Sequence, residues 1–184
     1  MAQPQPVEPV KYFVAALWSR ADALQSACTE LATAWGGIDF TGADHPFETT
    51  GYYEKEMGCD LRRRILSFRE LQSPQMLAEA KHRSNRIEDR LAQGTGRPVN
   101  LDIGYLDHNK IVLGSFKGAG QKIYLGEGVW ADMVARYGAG RYRPFEWTFP
   151  DFRDGRYDAE FGQIRRAYLE QLRRLDYRRL LIKD

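Results

Sequence analysis

The order of hydrophobic periodicities along this chain predicts an α+β domain: a ferredoxin-like βαββαβ core, a C-terminal antiparallel β-meander and a final amphipathic helix. Three observations predict it. Two apolar runs, Lys11–Trp18 and Arg63–Phe68, are each followed by apolar residues at helical spacing. Four short alternating runs between Lys110 and Trp147 are separated by glycine-bearing turns, as hairpins require. Beyond Asp158, Phe161, Ile164, Tyr168, Leu172 and Leu175 recur on one helical face.

Each element follows from local chemistry. Lys11–Trp18 is nearly all apolar, as a central strand covered on both faces must be. Ser19 stands where an N-cap is expected, with Asp22 three residues on. Leu24, Ala27, Leu31 and Ala34 mark the inner stripe of the first helix, and Gly36-Gly37 ends it with residues that tolerate positive φ. Ile38 and Phe40 alternate in a brief second strand. From Gly42 to Gly58 no periodicity holds, and a loop of that length inside a domain usually carries function. Arg63–Phe68 predicts the third strand. Ser73-Pro74 opens the second helix, with Leu77, Ala80, Ser84, Ile87 and Leu91 inward, and Val99–Tyr105 is the fourth strand. This order predicts one sheet with both antiparallel and parallel neighbours and two helices on one face.

Lys110–Phe116, Lys122–Leu125, Val129–Tyr137 and Arg141–Trp147 predict the meander. Pro150 stops its last strand, and Trp147–Phe152 (WTFPDF) is expected to plug the core. The chain divides into a disordered tail over 1–10 and a single domain over 11–184. Within it lie the core (11–105), the meander (110–147) and the helix (158–180).

Composition excludes several classes. With 27 basic and 25 acidic residues and a net charge of +2, there is no electrostatic footprint of a dedicated nucleic-acid binder. No apolar run approaches the roughly 18 residues of a membrane span. The start, MAQPQPVEP, lacks the basic and apolar regions of a signal peptide. Cys28 and Cys59 have no metal-ligand spacing and read as reduced thiols in a cytoplasmic protein. His45, His82 and His108 have no zinc spacing. The chain has neither a Gly-x-Ser-x-Gly elbow nor a Gly-x-Gly-x-x-Gly turn after the first strand.

Four groups of residues carry candidate chemistry. On an extended Val99–Tyr105, Asn100 and Asp102 share a face about 6.6 Å apart and suit a sugar hydroxyl, a water or a divalent cation. Gly104 beside them lets a ligand or backbone come close. Lys110, Lys117 and Lys122 flank the hairpins, and Lys117-Gly-Ala-Gly-Gln-Lys122 offers backbone N–H groups and ammonium charge to an anion. It is not a P-loop, because a strand follows rather than a helix. In the 52–58 loop, Tyr52, Tyr53 and Glu56 precede Arg62 and Arg63. Tyrosine can stack on a base and arginine can grip a phosphate, with Glu56 or Asp102 as candidate catalytic carboxylates. Lys81 and Asn85 share a flank of the second helix. Tyr105 completes the candidate ligand-binding set.

The motifs YYEKEMG (52–58), RILSF, VNLDIGYL (99–106), KIVLGSFK (110–117), KIYLGEGVWAD (122–132) and WTFPDF (147–152) occur in this order. Together they resemble a bacterial and archaeal domain-of-unknown-function family, number forty-four sixteen, over about residues 10 to 170. That family's usual Asn-Leu-Asp-Pro-Gly-Tyr has Ile103 here in place of proline. The resemblance implies no mechanism.

The expected function is a cytosolic domain that binds a phosphorylated or nucleotide-like small molecule. If it is an enzyme, phosphoryl or phosphoester chemistry suits these groups. The alternative is a non-enzymatic module whose basic final helix (Arg165, Arg166, Arg173, Arg174, Arg178 and Arg179) docks on RNA or a protein.

Overall fold

One nine-stranded sheet runs through the computed structural model, which describes the backbone of residues 3–181 apart from positions 5, 93 and 95, and side chains as far as residue 175. The strands are β1 (Val10–Trp18), β2 (Ile38–Thr41), β3 (His45–Pro46), β4 (Arg62–Gln72), β5 (Val99–Leu106), β6 (Lys110–Ser115), β7 (Ile123–Gly126), β8 (Val129–Gly138) and β9 (Arg141–Pro144). The helices are α1 (Ala21–Trp35), α2 (Glu54–Met57), α3 (Leu77–Leu91), α4 (Pro150–Arg153) and α5 (Asp158–Leu181). The class is therefore mixed α+β. The sheet order is β2-β4-β1-β5-β6-β8-β7, with β3 beside β4 and β9 beside β8.

The run of β1 is apolar because it sits between β4 and β5 and is covered on both faces. Tyr12, Val14 and Ala16 pack with Leu24, Ala27 and Leu31 of α1 and with Ala80 and Ile87 of α3. Phe13 and Ala15 face the other way, onto Phe161, Ile164 and Tyr168 of α5. This alternation is the period-2 geometry of a strand applied to two cores. At the start of β1, Pro9 offers its carbonyl to Tyr168 Oη at 3.1 Å.

Several expectations need correction. All strand pairs among the described residues are antiparallel. The expected parallel neighbours do not occur because each helical crossover skips a strand: β4 lies between β1 and β2, and β1 between β4 and β5. The first helix is not capped by Ser19. It follows Arg20, whose extended backbone occupies the cap position without a side-chain cap bond. Pro74 opens a 3-10 turn that leads into α3, and Ser73 gives no side-chain cap bond.

The meander is not a simple series of hairpins. β6 pairs along its whole length with β8, while β7 returns to the far edge of β8 beside β9. The tight β7–β8 turn places Gly126, Glu127 and Gly128 all at positive φ, which accounts for two glycines there. β9 ends at Pro144, and Pro150 begins α4 instead of stopping a strand. In the WTFPDF stretch Thr148, Asp151 and Phe152 are buried, but Trp147 and Phe149 are exposed.

Candidate functional site

The sheet divides at Gly104. β5 and β6 form only three pairs, Gly104 with Leu113, Tyr105 with Val112 and Leu106 with Ile111. A tight turn closes their hairpin: Asp107 Oδ1 accepts from the backbone N–H of Asn109 at 2.7 Å and of Lys110 at 2.9 Å. Beyond Gly104 the strands part. β6 follows β8, and β5 stays on β1 back to Val99. At the apex a side chain on residue 104 would overlap the Val112 carbonyl oxygen, so glycine is what lets the strands meet before they separate.

The peptide of Leu101 faces the gap, and α3 satisfies it in place of a neighbouring strand. Glu88 Oε1 accepts from Leu101 N at 2.6 Å, and Lys81 Nζ reaches Leu101 O at 3.4 Å. Glu88 is a buried carboxylate whose pKa is raised by burial, with Lys81 pulling it back down. Arg97 braces it at 2.5 Å and also meets Glu56 at 2.9 Å.

A cavity of about 280 Å³ fills this fork. Asn100 and Asp102 line it from β5, Lys81 and Asn85 from α3, and Lys117 and Lys122 from the loop after β6. Tyr52 and Tyr53 close it from the 3-10 turn Gly51–Tyr53, which Thr50 caps by accepting from Tyr52 N. Burial pushes the Tyr53 phenol up to about 12, helped by Asp102 and opposed by Arg63 and Arg97. Four sequence segments, chosen for separate reasons, thus meet in one place.

Most charges around the cavity are matched. Lys122 Nζ lies 3.4 Å from Asp132 and 3.0 Å from Ser115 Oγ. Asp102 is held at 3.3 Å by Arg63, which is 3% exposed, meets Asp151 at 3.3 Å and lies 4.9 Å from the Phe47 ring centroid. Burial opposes the charge on Arg63, but Asp151 and Asp102 outweigh it and raise its pKa. Three groups stand apart. Lys81 is 8% exposed and makes no ion pair among the described residues: Glu88 acts on it only beyond ion-pair distance, and its ammonium has the Leu101 carbonyl and, at 5.5 Å, the Phe116 ring. Asn100 is 4% exposed, and its Nδ2 has no hydrogen-bond partner. Lys117 makes no ion pair among the described residues either; its ammonium meets the Tyr52 hydroxyl at 2.9 Å.

Other candidates lie elsewhere. Tyr105 and Lys110 border a separate cavity of about 180 Å³, and Lys110 is paired with Asp107. Tyr105 sits past the fork apex, about 16 Å along β5 from Asn100 at ordinary strand rise, and Lys110 begins β6 beyond the hairpin turn. Glu56 pairs with Arg97 and does not itself line the cavity. Arg63 lines a neighbouring cleft. For a divalent cation, no group of three or more His, Cys, Asp or Glu side chains suited to a metal comes together among the described residues. On α5, Arg165 lies over the Tyr137 ring and Arg174 pairs with Glu170. The side chains of Arg178 and Arg179 fall outside the described residues.

Sequence reasoning missed Glu88, Arg97, Asp132, Phe149 and Asp151. Signals existed for two. Glu88 falls seven residues after Lys81 on the buried side of α3, and Asp132 shares the inward phase of Val134 on β8.

The fold and cavity define an α+β domain with a polar, cation-rich fork in its sheet. The chain belongs to the family described as Domain of unknown function (DUF4416), whose model matches residues 8–168. No curated protein matches it. No solved structure matches it either. Among the described residues, no helix is long and apolar enough to cross a membrane.

Proposed function

We propose that the fork binds the anionic group of a phosphorylated small molecule. The observation that carries this reading is the pair of buried donors without adequate acceptors, the Lys81 ammonium and the Asn100 amide, on the wall of one cavity. A buried donor left unpaired costs about 1–3 kcal/mol, and a phosphate oxygen would turn that cost into charge-assisted bonds. Lys117 supplies a second ammonium that makes no ion pair among the described residues. Lys122, matched by Asp132, shapes the wall and is not needed to neutralise the ligand. Asp102, fixed by Arg63, is the acceptor placed for a ligand hydroxyl, and it is the carboxylate to test first for phosphoester turnover.

The strand order β2-β4-β1-β5 with α1 and α3 on one face supports reading that half as ferredoxin-like. The free thiols Cys28 and Cys59 fit a reducing cytoplasmic compartment.

The test is thermal unfolding with ribose 5-phosphate and inorganic phosphate. Saturation at about 100 times the dissociation constant raises stability by about 2.7 kcal/mol, a shift of several degrees for a domain of this size. Lys81→Met abolishes the shift. An unshifted wild-type melt with either compound, or an equal shift in Lys81→Met, contradicts the proposal.

A further inference from the structure

The fork cavity is not isolated. A second cleft of about 410 Å³ adjoins it, and Tyr52, Tyr53, Lys117 and Phe149 line both. The character of the second cleft is different. Its walls include Phe47, Pro150 and Arg63, whose guanidinium lies 4.9 Å from the Phe47 ring centroid and 5.8 Å from that of Phe152. Two of the shared residues expose aromatic rings: Tyr52 is 62% exposed, and Phe149 is exposed on the loop entering α4. Rings left open to water at the mouth of a cleft are the feature that stacks on a planar ligand. One polar atom waits there as well. The Thr49 hydroxyl is buried, has no hydrogen-bond partner, and its residue lines this cleft but not the fork.

We infer that the two compartments together take one ligand, a phosphate ester carrying a planar heteroaromatic ring, with a nucleoside monophosphate as its simplest form. This rests on the phosphate reading of the fork. The phosphate meets Lys81 and Asn100, Lys117 stands between the compartments, and the ring lies against Tyr52 and Phe149 with Thr49 Oγ1 at its polar edge. Charge favours a monophosphate over a longer chain. Among the described residues the cavity has two ammonium groups outside any ion pair, Lys81 and Lys117, and a monophosphate ester at neutral pH carries close to two negative charges. Each further phosphate would meet lysine and arginine already neutralised by Asp132, Glu88 and Glu56.

Isothermal titration separates this claim from the one beneath it. Adenosine and guanosine monophosphate, ribose 5-phosphate and the unphosphorylated nucleosides are titrated into the full chain. The better nucleoside monophosphate binds roughly ten-fold or more tightly than ribose 5-phosphate, the usual scale of one stacked ring. Phe149→Leu narrows that gap, and Thr49→Val weakens the nucleotide several-fold while leaving ribose 5-phosphate as it was. Equal affinity for the monophosphates and ribose 5-phosphate overturns the ring compartment and leaves the phosphate site standing. A nucleoside that binds as tightly as its monophosphate overturns the phosphate site. No binding by any of them overturns both.

Discussion

An ammonium taken out of water without a carboxylate lowers stability, and Lys81 stands in that condition beside a carbonyl at 3.4 Å. Replacing it with Met keeps the length of the chain and removes the charge. Because the same change takes the donor from the Leu101 carbonyl, Lys81→Met is expected to unfold within about 1 kcal/mol of wild type in urea, while phosphate-ester binding disappears. A loss of more than about 1 kcal/mol would mean that the ammonium serves the fold. Arg63 is the opposite case, a buried cation fully matched by Asp151 and Asp102. Asp151, 1% exposed, is expected to cost about 3 kcal/mol when changed to Ala, because a charged partner stays buried. Urea denaturation checks it, and a cost under about 1 kcal/mol contradicts it. At this scale the sequence was partly legible. The amide, carboxylate and lysines were visible as polar residues on strand-like or helical flanks. The pairing that silences Lys122 joins the loop after β6 to Asp132 on β8, and nothing beside Lys81 in the sequence marks it as the lysine left outside an ion pair, so no local pattern carried the difference.

The fork itself is a property of strands rather than residues. β5 and β6 share three pairs and then part, with α3 supplying Glu88 and Lys81 to the freed peptide of Leu101. Gly104→Ala would drive a methyl into the Val112 carbonyl oxygen. It is expected to cost about 3 kcal/mol, as overpacking at a backbone contact does, and to weaken ligand binding by changing the angle of the fork. Chemical denaturation and titration of the same variant check both, and a fully stable variant with unchanged affinity contradicts the role given to this glycine. The sequence marked Gly104 as a place of close approach, but it assigned the approach to a ligand as readily as to a backbone. The paths of β6 and β7 were not legible. Glycine turns locate chain reversals without saying which edge the next strand joins, and β8 takes the edge of β6 that a simple hairpin would give to β7.

Over the whole molecule, buried phenols link the fold to alkaline pH. Tyr12, Tyr142, Tyr157 and Tyr168 are all held above the ordinary phenol range by burial, as is Tyr53 at about 12. Each folded-state pKa is raised, so the stability these groups contribute is fully present below the ordinary value of 10 and is lost as pH rises past it. Each removes about 1.4 kcal/mol per pH unit, and five together exhaust a typical stability of roughly 5–15 kcal/mol within one to two units or so. Unfolding seen by circular dichroism and the main rise in phenolate absorbance should coincide between about pH 11 and 12; ionisation of most tyrosines with the fold intact would contradict this. The broad class was the most legible feature, because two apolar-strand-then-helix repeats and a terminal amphipathic helix are local signals. The two-sided core behind β1 was legible for the same reason.

Entry of a phosphate ester into the fork, to meet Lys81 and Asn100, is what the proposed function requires. Two-dimensional NMR of the ¹⁵N-labelled protein during titration with ribose 5-phosphate tests it most directly. The Asn100 side-chain amide and the backbone amides of Leu101, Gly114 and Lys117 are expected to move together along one saturating curve, while Tyr105 and Lys110 stay still. An unmoved Asn100 amide, or shifts confined to the Tyr105–Lys110 end of β5, would contradict it.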